Sequence, residues 1–256
     1  MSVLRRIADG VRARLPELRR RAGAWAARAD AQPPARDFAG ALTGDPGLRV
    51  IAEFKPASPS RGSIRPDADV RAFARAFEAG GAAAMSVLTE PEFFGSGLDR
   101  LEAARTACSL PLLRKDFLLD PVQIDEARAS GADAVLLIVA LLDDARLRDL
   151  MQAAAGRGMA SLVEAHDRAE AERALTAGAG LLGVNQRNLD TLEIDPGLVE
   201  RMLPTLPRGV PVVAESGLRS RDDLRRLHAA GCRAFLVGTT LMEAPDPAAA
   251  LRGWLA

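Results

Sequence analysis

Two lysines stand out in this sequence, because the chain otherwise uses arginine for positive charge. Of its 34 basic side chains, only Lys55 and Lys115 are lysines. An arginine guanidinium stays charged at any working pH, whereas burial can bring a lysine amine within reach of proton transfer. We therefore expect acid–base chemistry at both positions. The alternative is that they are chance survivors of a codon bias toward arginine, and that alternative fails only if both positions are structurally special.

Other polar residues share a position with the two lysines, because each stands at or just after the end of a short apolar run. Carboxylates placed beside a lysine could assist proton transfers. Apolar neighbours such as Leu113 and Phe117 would lower the pKa of Lys115, whereas nearby carboxylates would raise it, so the direction stays open. The residues at these ends are Glu53, Lys55, Lys115, Glu164, Asn185, Arg187, Glu215 and Ser216.

Eight such apolar runs alternate with longer amphipathic segments along the chain. This alternation is typical of parallel α/β proteins, and eight units in 256 residues predict an α/β fold of the (β/α)₈ TIM-barrel type. No Gly-x-Gly-x-x-Gly follows the first run, which counts against a dinucleotide fold. The C-terminal ends of barrel strands carry the chemistry in this fold. The predicted strands are 49–54, 83–88, 110–114, 133–139, 159–164, 181–185, 210–215 and 234–238.

The first part of the chain has a different pattern, with apolar residues at helical spacing. We expect one domain over residues 1–256, in which a helical extension (about 1–45) precedes the barrel (about 46–256). The first 30 residues lack the apolar segment of a secretory signal, so we expect a cytoplasmic protein. The apolar positions of the predicted first helix are Val3, Leu4, Ile7, Val11, Leu15 and Leu18.

Composition excludes several partners. The 34 acidic and 34 basic residues balance, so neither nucleic acid nor an anionic membrane is expected, and a small molecule is the predicted ligand. The longest apolar run, "AVLLIVALL" from Ala134, is too short to cross a bilayer. Cys108 and Cys232 lack metal-ligand spacing with a histidine, so we predict free thiols and no metal site. We expect a monomer, with a weak homodimer as the alternative.

The loops after the seventh and eighth runs, "AESGLRS" and "VGTTLM", predict a phosphate site. In TIM barrels these two loops commonly bind phosphate. Gly217 and Gly238 would allow backbone N–H groups to approach a phosphate, and the hydroxyls of Ser216 and Thr239 would lie nearby. A single such glycine could merely end a strand, but two on these strands favour a phosphorylated ligand.

The sequence resembles the indole-3-glycerol-phosphate synthase family. The resemblance extends from "PPARDF" at residue 33 to the C-terminus. It is carried by "IAEFKPASPSRG", "MSVLTEPEFFGSG", "LLRKDFLLDPVQ", "LVEAHD", "GVNQRNLDTLEID", "VAESGL" and "FLVGTTLM", in this order. It implies a ring closure with loss of carbon dioxide and water, without a cofactor or metal. The substrate would be 1-(2-carboxyphenylamino)-1-deoxyribulose 5-phosphate.

The resemblance also implies residue roles. Lys115 would be the general acid that protonates the ketone, Glu164 would assist later proton transfers, and Lys55 would lie near the substrate carboxylate and phosphate. Glu53 and Asn185 would orient the reacting groups. The phosphate side would consist of Ser58, Ser216, Gly217, Gly238 and Thr239, and the wall around the ring and sugar chain of Arg187, Leu189, Phe94, Phe117, Leu136 and Glu215.

The sequence departs from the family pattern at Pro56, Gln186 and Thr239, which affects affinity rather than any proposed acid or base. His166 and Glu90 have simpler interpretations, as the start of a helix and a solvated loop charge. Three other functions compete. They are a phosphoribosyl isomerase with a different acid–base set, a Schiff-base aldolase with a barrel lysine, and a barrel kept as a scaffold or phosphate sensor.

Overall fold

Eight parallel strands close into a barrel in the computed structural model, which describes residues 3–44 and 47–256. The order around the barrel is β1-β10-β9-β8-β7-β6-β5-β4, and β4 pairs with β1. This arrangement confirms the predicted TIM barrel. Its strands are β1 (Arg49–Phe54), β4 (Ala84–Leu88), β5 (Leu112–Lys115), β6 (Ala134–Ile138), β7 (Ala160–Ala165), β8 (Leu182–Asn185), β9 (Val212–Glu215) and β10 (Ala234–Val237). A short antiparallel hairpin, β2 (Ala57–Ser58) and β3 (Gly62–Ser63), follows β1.

Helices surround the barrel and also precede it. The three that precede it are α1 (Val3–Arg20), α2 (Ala22–Asp30) and α3 (Phe38–Thr43). The predicted boundary at residues 45 and 46 lies outside the described residues. The later helices are α4 (Val70–Ala79), α5 (Pro91–Phe94), α6 (Leu98–Ala107), α7 (Pro121–Ala129), α8 (Asp144–Gly156), α9 (Arg168–Thr176), α10 (Leu198–Met202), α11 (Arg221–Ala230), α12 (Thr239–Glu243) and α13 (Pro247–Leu255).

Side-chain alternation along the strands produces two apolar cores. Successive residues of a strand point to opposite faces, so one set packs against the helices and the other fills the barrel. In β5, Leu112 belongs to the outer core and Leu113 to the inner one. The same alternation in β1 puts Val50 and Ala52 outside and Ile51 inside. The next inward positions of these two strands are therefore polar residues, Glu53 and Lys115.

The segment before the barrel is attached at both ends of the barrel. At the N-terminal end of the strands, the buried carboxylate of Asp133 accepts hydrogen bonds from the backbone N–H of Arg36 and Leu112 and from the side chain of Arg105. At the other end, Arg19 of α1 donates to Asp120, the residue that caps α7. The predicted apolar face of α1 is confirmed, because Leu4, Ile7, Val11 and Leu15 are all buried.

The interpretation of Glu90 as a solvated charge is wrong. Only 1% of this residue is exposed. Its carboxylate caps α5 by accepting a hydrogen bond from the backbone N–H of Phe93, and Arg14 of α1 lies 3.4 Å from it. The acid is buried because it joins the first helix to the loop after β4, a contact between segments 76 residues apart.

Candidate active site

One cleft at the C-terminal ends of the strands contains all the predicted site residues. All eight barrel strands and the loops after them contribute to it, and its mixture of charged and apolar lining groups suits a small molecule. The predicted residues that line it are Glu53, Lys55, Ser58, Phe94, Lys115, Phe117, Leu136, Glu164, Asn185, Arg187, Leu189, Glu215, Ser216, Gly217, Gly238 and Thr239.

Lys115 lies at the centre of a buried cluster of carboxylates. Its Nζ atom is 3.0 Å from Oε2 of Glu164 and 3.4 Å from Oε2 of Glu215. Both glutamates are only 1% exposed. The three side chains come from β5, β7 and β9, and they converge because each is an inward-facing residue at or near the end of its strand.

The cluster resolves the direction of the Lys115 pKa that the sequence left open. Burial alone would lower this pKa, but Glu164, Glu215 and Glu53 outweigh burial and raise it above its usual value. The pKa of Glu164 moves the opposite way: burial would raise it, but Lys115 and His166 lower it. Burial and the charge of Glu164 raise the pKa of Glu215 to about 8. At neutral pH the cluster therefore holds an ammonium, an ionised Glu164 and a Glu215 that keeps its proton.

Lys55 and Glu53 form a second pair beside this cluster. The Nζ atom of Lys55 is 3.2 Å from Oε2 of Glu53. Both side chains face the backbone of Gly238, where an added Cβ would lie 2.7 Å from Oε2 of Glu53 and 3.1 Å from Nζ of Lys55. A side chain at position 238 would thus displace the pair. The glycine keeps the C-terminal end of β10 open beside these two charged groups.

The backbone around Asn185 and Glu215 donates a hydrogen bond to the first and leaves space for the second. The Oδ1 atom of Asn185 accepts a hydrogen bond from the backbone N–H of Arg187, while the guanidinium of Arg187 donates to the carbonyl of Leu192. Gly183 on β8 leaves room for Glu215, since a Cβ at Gly183 would lie 2.2 Å from Oε1 of Glu215. The glycine at position 183 therefore leaves the space that the buried Glu215 side chain occupies.

The loop after β9 has an unusual backbone. Ser216 has a φ of 64° and Gly217 a φ of 76°, so two successive residues are left-handed. This conformation is uncommon for serine and is typical of functional sites. Gln186 stabilises the loop by donating from Nε2 to the carbonyl of Ser216. The departure from the family pattern at Gln186 thus provides a loop contact. Thr239, another departure, begins α12 directly after Gly238.

An apolar wall faces the charged groups. The rings of Phe94 and Phe117 are tilted against each other, with centroids 6.1 Å apart. On α1, three residues that were not predicted as site residues also line the cleft: Val3, Leu4 and Ile7. Their helical spacing gave no sign of this, because one apolar face serves equally well for packing and for covering a cleft.

A second charge network lies directly behind Lys115. Arg114 is 3% exposed and faces the helices. Its guanidinium contacts Asp116 at 2.9 Å and Glu126 of α7 at 2.8 Å, and it donates to the carbonyl of Gln123. Asp116 also accepts a hydrogen bond from the backbone N–H of Phe117. This network fixes the "RKDF" loop from the outer side.

His166 is a functional candidate that the sequence analysis missed. Its Nε2 atom is 3.2 Å from Oε1 of Glu164 and its Nδ1 atom 3.0 Å from Oε2 of Glu170. Burial opposes a charge on the ring, but the two carboxylates outweigh burial and raise its pKa to about 10. The sequence spacing was compatible with both contacts. Residues 164 and 166 are two apart at the end of a strand, where such residues face the same side, and residues 166 and 170 are four apart at the start of a helix, where such residues are neighbours.

Two features are absent from the part of the chain that the structure describes. Residues 3–44 and 47–256 contain no group of three or more histidine, cysteine, aspartate or glutamate side chains arranged to hold a metal ion. Among these same residues, no helix has both the length and the apolar character required to cross a membrane.

Comparison with known proteins finds close relatives in one family. The sequence profile of indole-3-glycerol phosphate synthase matches residues 4–253. The chain is 52% identical to indole-3-glycerol phosphate synthase 2 of Streptomyces coelicolor over 88% of its own length and 87% of that protein. It is 49% identical to the indole-3-glycerol phosphate synthase of Micrococcus luteus, over its full length and 98% of that protein.

Solved structures of low sequence identity share the fold. Thiamine phosphate pyrophosphorylase from Pyrococcus furiosus has a TM-score of 0.60 at 19% identity, covering 81% of this chain and 93% of its own. N-acetylmannosamine-6-phosphate 2-epimerase from Clostridium perfringens has a TM-score of 0.60 at 16% identity, covering 82% and 93%. At these identities the likeness concerns the barrel alone.

Proposed function

Because the chain belongs to the indole-3-glycerol phosphate synthase family, we propose that it converts 1-(2-carboxyphenylamino)-1-deoxyribulose 5-phosphate to indole-3-glycerol phosphate. The enzyme is a decarboxylating lyase of tryptophan biosynthesis. One observation carries the residue assignments: the residues that the sequence implicates from distant segments line a single cleft, in which both lysines have carboxylate partners.

Lys115 acts as the general acid in ring closure. As the aromatic carbon attacks the ketone, an alkoxide develops, and an ammonium beside it can supply the proton. The Lys115 amine is protonated in the free site because of Glu164 and Glu215. A ketone oxygen that gains negative charge next to Nζ would compete with these carboxylates for the proton. The high pKa of Lys115 in the free site therefore describes its resting state rather than its acidity during the reaction.

Glu164 assists the later proton transfers, in which a hydroxyl leaves as water and the methylene carbon loses a hydrogen. It contacts Lys115 directly, so one proton can move between the two groups. Lys55 lies with Glu53 on the side of β1, where it can approach the substrate carboxylate and phosphate, and Asn185 orients the reacting groups. Decarboxylation returns the electron pair of the broken C–C bond to the ring.

The remaining residues hold the substrate. Backbone N–H groups at Gly217 and Gly238, with the hydroxyls of Ser58, Ser216 and Thr239, bind the phosphate. The positive φ angles of Ser216 and Gly217 support this placement, because backbone in sparsely populated conformations clusters at ligand-binding sites. The anthranilate ring and the sugar chain pack against the wall formed by Phe94, Phe117, Leu136, Leu189, Arg187 and Glu215.

We place the enzyme in the cytoplasm as a monomer that needs no metal or other cofactor, with residues 1–256 forming one domain. The monomer is supported by the site itself, since all the proposed groups come from one chain. Neither nucleic acid nor a membrane is proposed as a partner, because the 34 acidic and 34 basic residues balance.

The test is turnover of the carboxyphenylamino-deoxyribulose phosphate, followed by the fluorescence of the indole product. We expect saturable turnover that survives extensive chelation and that inorganic phosphate inhibits competitively. Borohydride in the presence of substrate should leave no covalent adduct on the protein. A reduced adduct on either lysine would instead support the Schiff-base aldolase. Binding of the substrate without turnover would support the phosphate sensor.

A further inference from the structure

The proposed reaction consumes one proton per turnover. The substrate carboxylate is an anion that leaves as neutral carbon dioxide, and the ketone oxygen leaves as water. Of the two hydrogens in that water, one is balanced by the hydrogen that the methylene carbon loses. The other must enter from solvent. This requirement, which rests on the proposed function, raises the question of how a proton reaches buried groups while substrate occupies the cleft.

A line of contacts leads from the cluster away from the cleft. Lys115 contacts Oε2 of Glu164, and the other oxygen of that carboxylate is 3.2 Å from Nε2 of His166. The opposite ring nitrogen of His166 is 3.0 Å from Oε2 of Glu170. The two oxygens of Glu164 thus face Lys115 and His166, and the two ring nitrogens of His166 face Glu164 and Glu170. An imidazole can gain a proton at one nitrogen and release it from the other, which suits it for this position.

Exposure increases along this line. The side chain of Glu164 is 1% exposed, that of His166 13% and that of Glu170 18%. His166 also lines a second, more open groove on the far side of Asn185, bordered by Gln186, Asn188 and Glu193. The line therefore connects the buried cluster with solvent at a place separate from the cleft.

The Glu164–His166 contact has a further property. Among the described residues, neither Oε1 of Glu164 nor Nε2 of His166 has a hydrogen bond of good geometry, although both atoms are buried. Buried polar atoms normally have such a partner. The two atoms lie within ion-pair distance of each other, so a small movement of the ring would align them.

We propose that Glu170 and His166 form a proton relay that recharges Glu164 and Lys115 from solvent. His166, as an imidazolium, releases its Nε2 proton to Oε1 of Glu164. A half-turn of the Glu164 carboxyl group then presents this proton to the Lys115 amine or to the departing hydroxyl. Tautomer exchange through water in the groove moves the remaining ring proton of His166 from Nδ1 to Nε2, and Nδ1 then accepts a proton from solvent by way of Glu170, which restores the imidazolium. Neither His166 nor Glu170 touches the substrate; both act through Glu164.

The experiment compares His166→Ala with His228→Gln, a change at the other histidine of the chain, which lies on α11 away from the cleft. The alanine variant keeps the backbone N–H that donates to Glu170. We expect kcat of His166→Ala to fall on the order of 10- to 100-fold, toward the lower range for a lost proton-transfer group. The KM should change little, and added imidazole should restore kcat in proportion to its protonated form. His228→Gln should behave like the unmodified enzyme.

A second pair of variants distinguishes a proton relay from a purely structural role of these residues. Glu170→Gln should lower kcat when turnover is measured in weak buffer and recover in concentrated buffer. Glu172→Gln, on the same helix with its side chain 61% exposed, should show neither effect. If His166→Ala fails to fold, this pair decides alone. Unchanged kcat in His166→Ala, or a loss that neither imidazole nor buffer restores, would overturn the relay. Absence of turnover in the unmodified enzyme would instead refute the proposed function.

Discussion

Arg114 and Lys115 are neighbours on β5 that face opposite sides of the barrel wall, and each forms a buried ion cluster. Arg114 faces the helices and has two carboxylates and a backbone carbonyl within hydrogen-bond distance of its guanidinium. Lys115 faces the cleft and has Glu164 and Glu215 beside one small ammonium. The two clusters contain the same kinds of group but differ in how many of their buried polar atoms have a hydrogen-bond partner.

Among the described residues, the buried side-chain atoms of Arg114, Asp116 and Glu126 have partners, whereas several of those in the inner cluster do not. The planar guanidinium of Arg114 contacts the carboxylates of Asp116 and Glu126 and the carbonyl of Gln123 at the same time. In the inner cluster, both oxygens of Glu215 and one of Glu164 have no hydrogen bond of good geometry among the described residues. Unmatched buried groups are costly. This difference supports the proposal that the inner cluster binds a substrate, and it predicts that the outer cluster stabilises the fold.

The largest expected effect is on turnover when Lys115 is replaced by Met. This change removes the proposed acid while keeping an unbranched side chain of similar length. We expect kcat to fall about 10²- to 10⁴-fold, the usual range for a missing general acid. Steady-state kinetics with the fluorescent product measures the loss. Thermal unfolding should show a folded protein, because Glu164 can take up a proton when the ammonium is absent and Glu215 already holds one.

Replacing Arg114 by Met should lower the stability of the fold rather than the turnover of the substrate. Asp116 and Glu126 would remain buried without their partner, so the free energy of unfolding should fall by about 3–5 kcal/mol. Urea unfolding measures this loss. Arg168→Met, at a side chain 67% exposed, is the control and should change stability by less than about 0.5 kcal/mol. A stable Arg114→Met protein with strongly reduced kcat would contradict the assignment of stability to the outer cluster and of turnover to the inner one.

A smaller effect concerns pH and the inner cluster. The carboxyl of Glu215 has a pKa of about 8 in the folded chain against an ordinary 4.5, so it binds its proton more tightly when folded. The free energy of unfolding should therefore decline as pH rises from about 4.5 to about 8. The slope from one such group is at most about 1.4 kcal/mol per pH unit.

Glu215→Gln should flatten this decline in urea unfolding measured at a series of pH values. His166, whose pKa is raised from 6.5 to about 10, adds a decline at higher pH that the substitution should leave in place. An identical profile in Glu215→Gln and the unmodified protein would mean that Glu215 is ionised in the free site.

The sequence predicted the barrel and the inner cluster for one physical reason. Period-two alternation and strand ends are local features, so an apolar run that closes on Glu53 or Glu164 also predicts where that side chain points. The observed strands agree with the predicted runs to within two residues at each end. Gly217 was likewise singled out by its place in a strand-to-helix loop, but its left-handed conformation and that of Ser216 were not predicted.

What the sequence could not provide were pairings between distant segments. Arg114 meets Glu126 and Arg14 meets Glu90 only after folding, and nothing local distinguishes these charges from solvated ones. The direction of the Lys115 pKa depended on the balance between burial and three carboxylates from other strands. The contact of His166 with Glu164 had a local signal, but the helix-start interpretation of the histidine was equally compatible with it.

The most direct test of the account is the turnover of Lys115→Arg. Arginine keeps a positive charge near Glu164, but its pKa above ~12 makes it a poor proton donor near neutral pH. If Lys115 delivers a proton, the variant should fold and bind phosphate, yet lose about 10²- to 10⁴-fold in kcat. Near-normal kcat would contradict the account, because Lys115 would then serve only as a fixed charge and the acid would have to be Lys55 or Glu164.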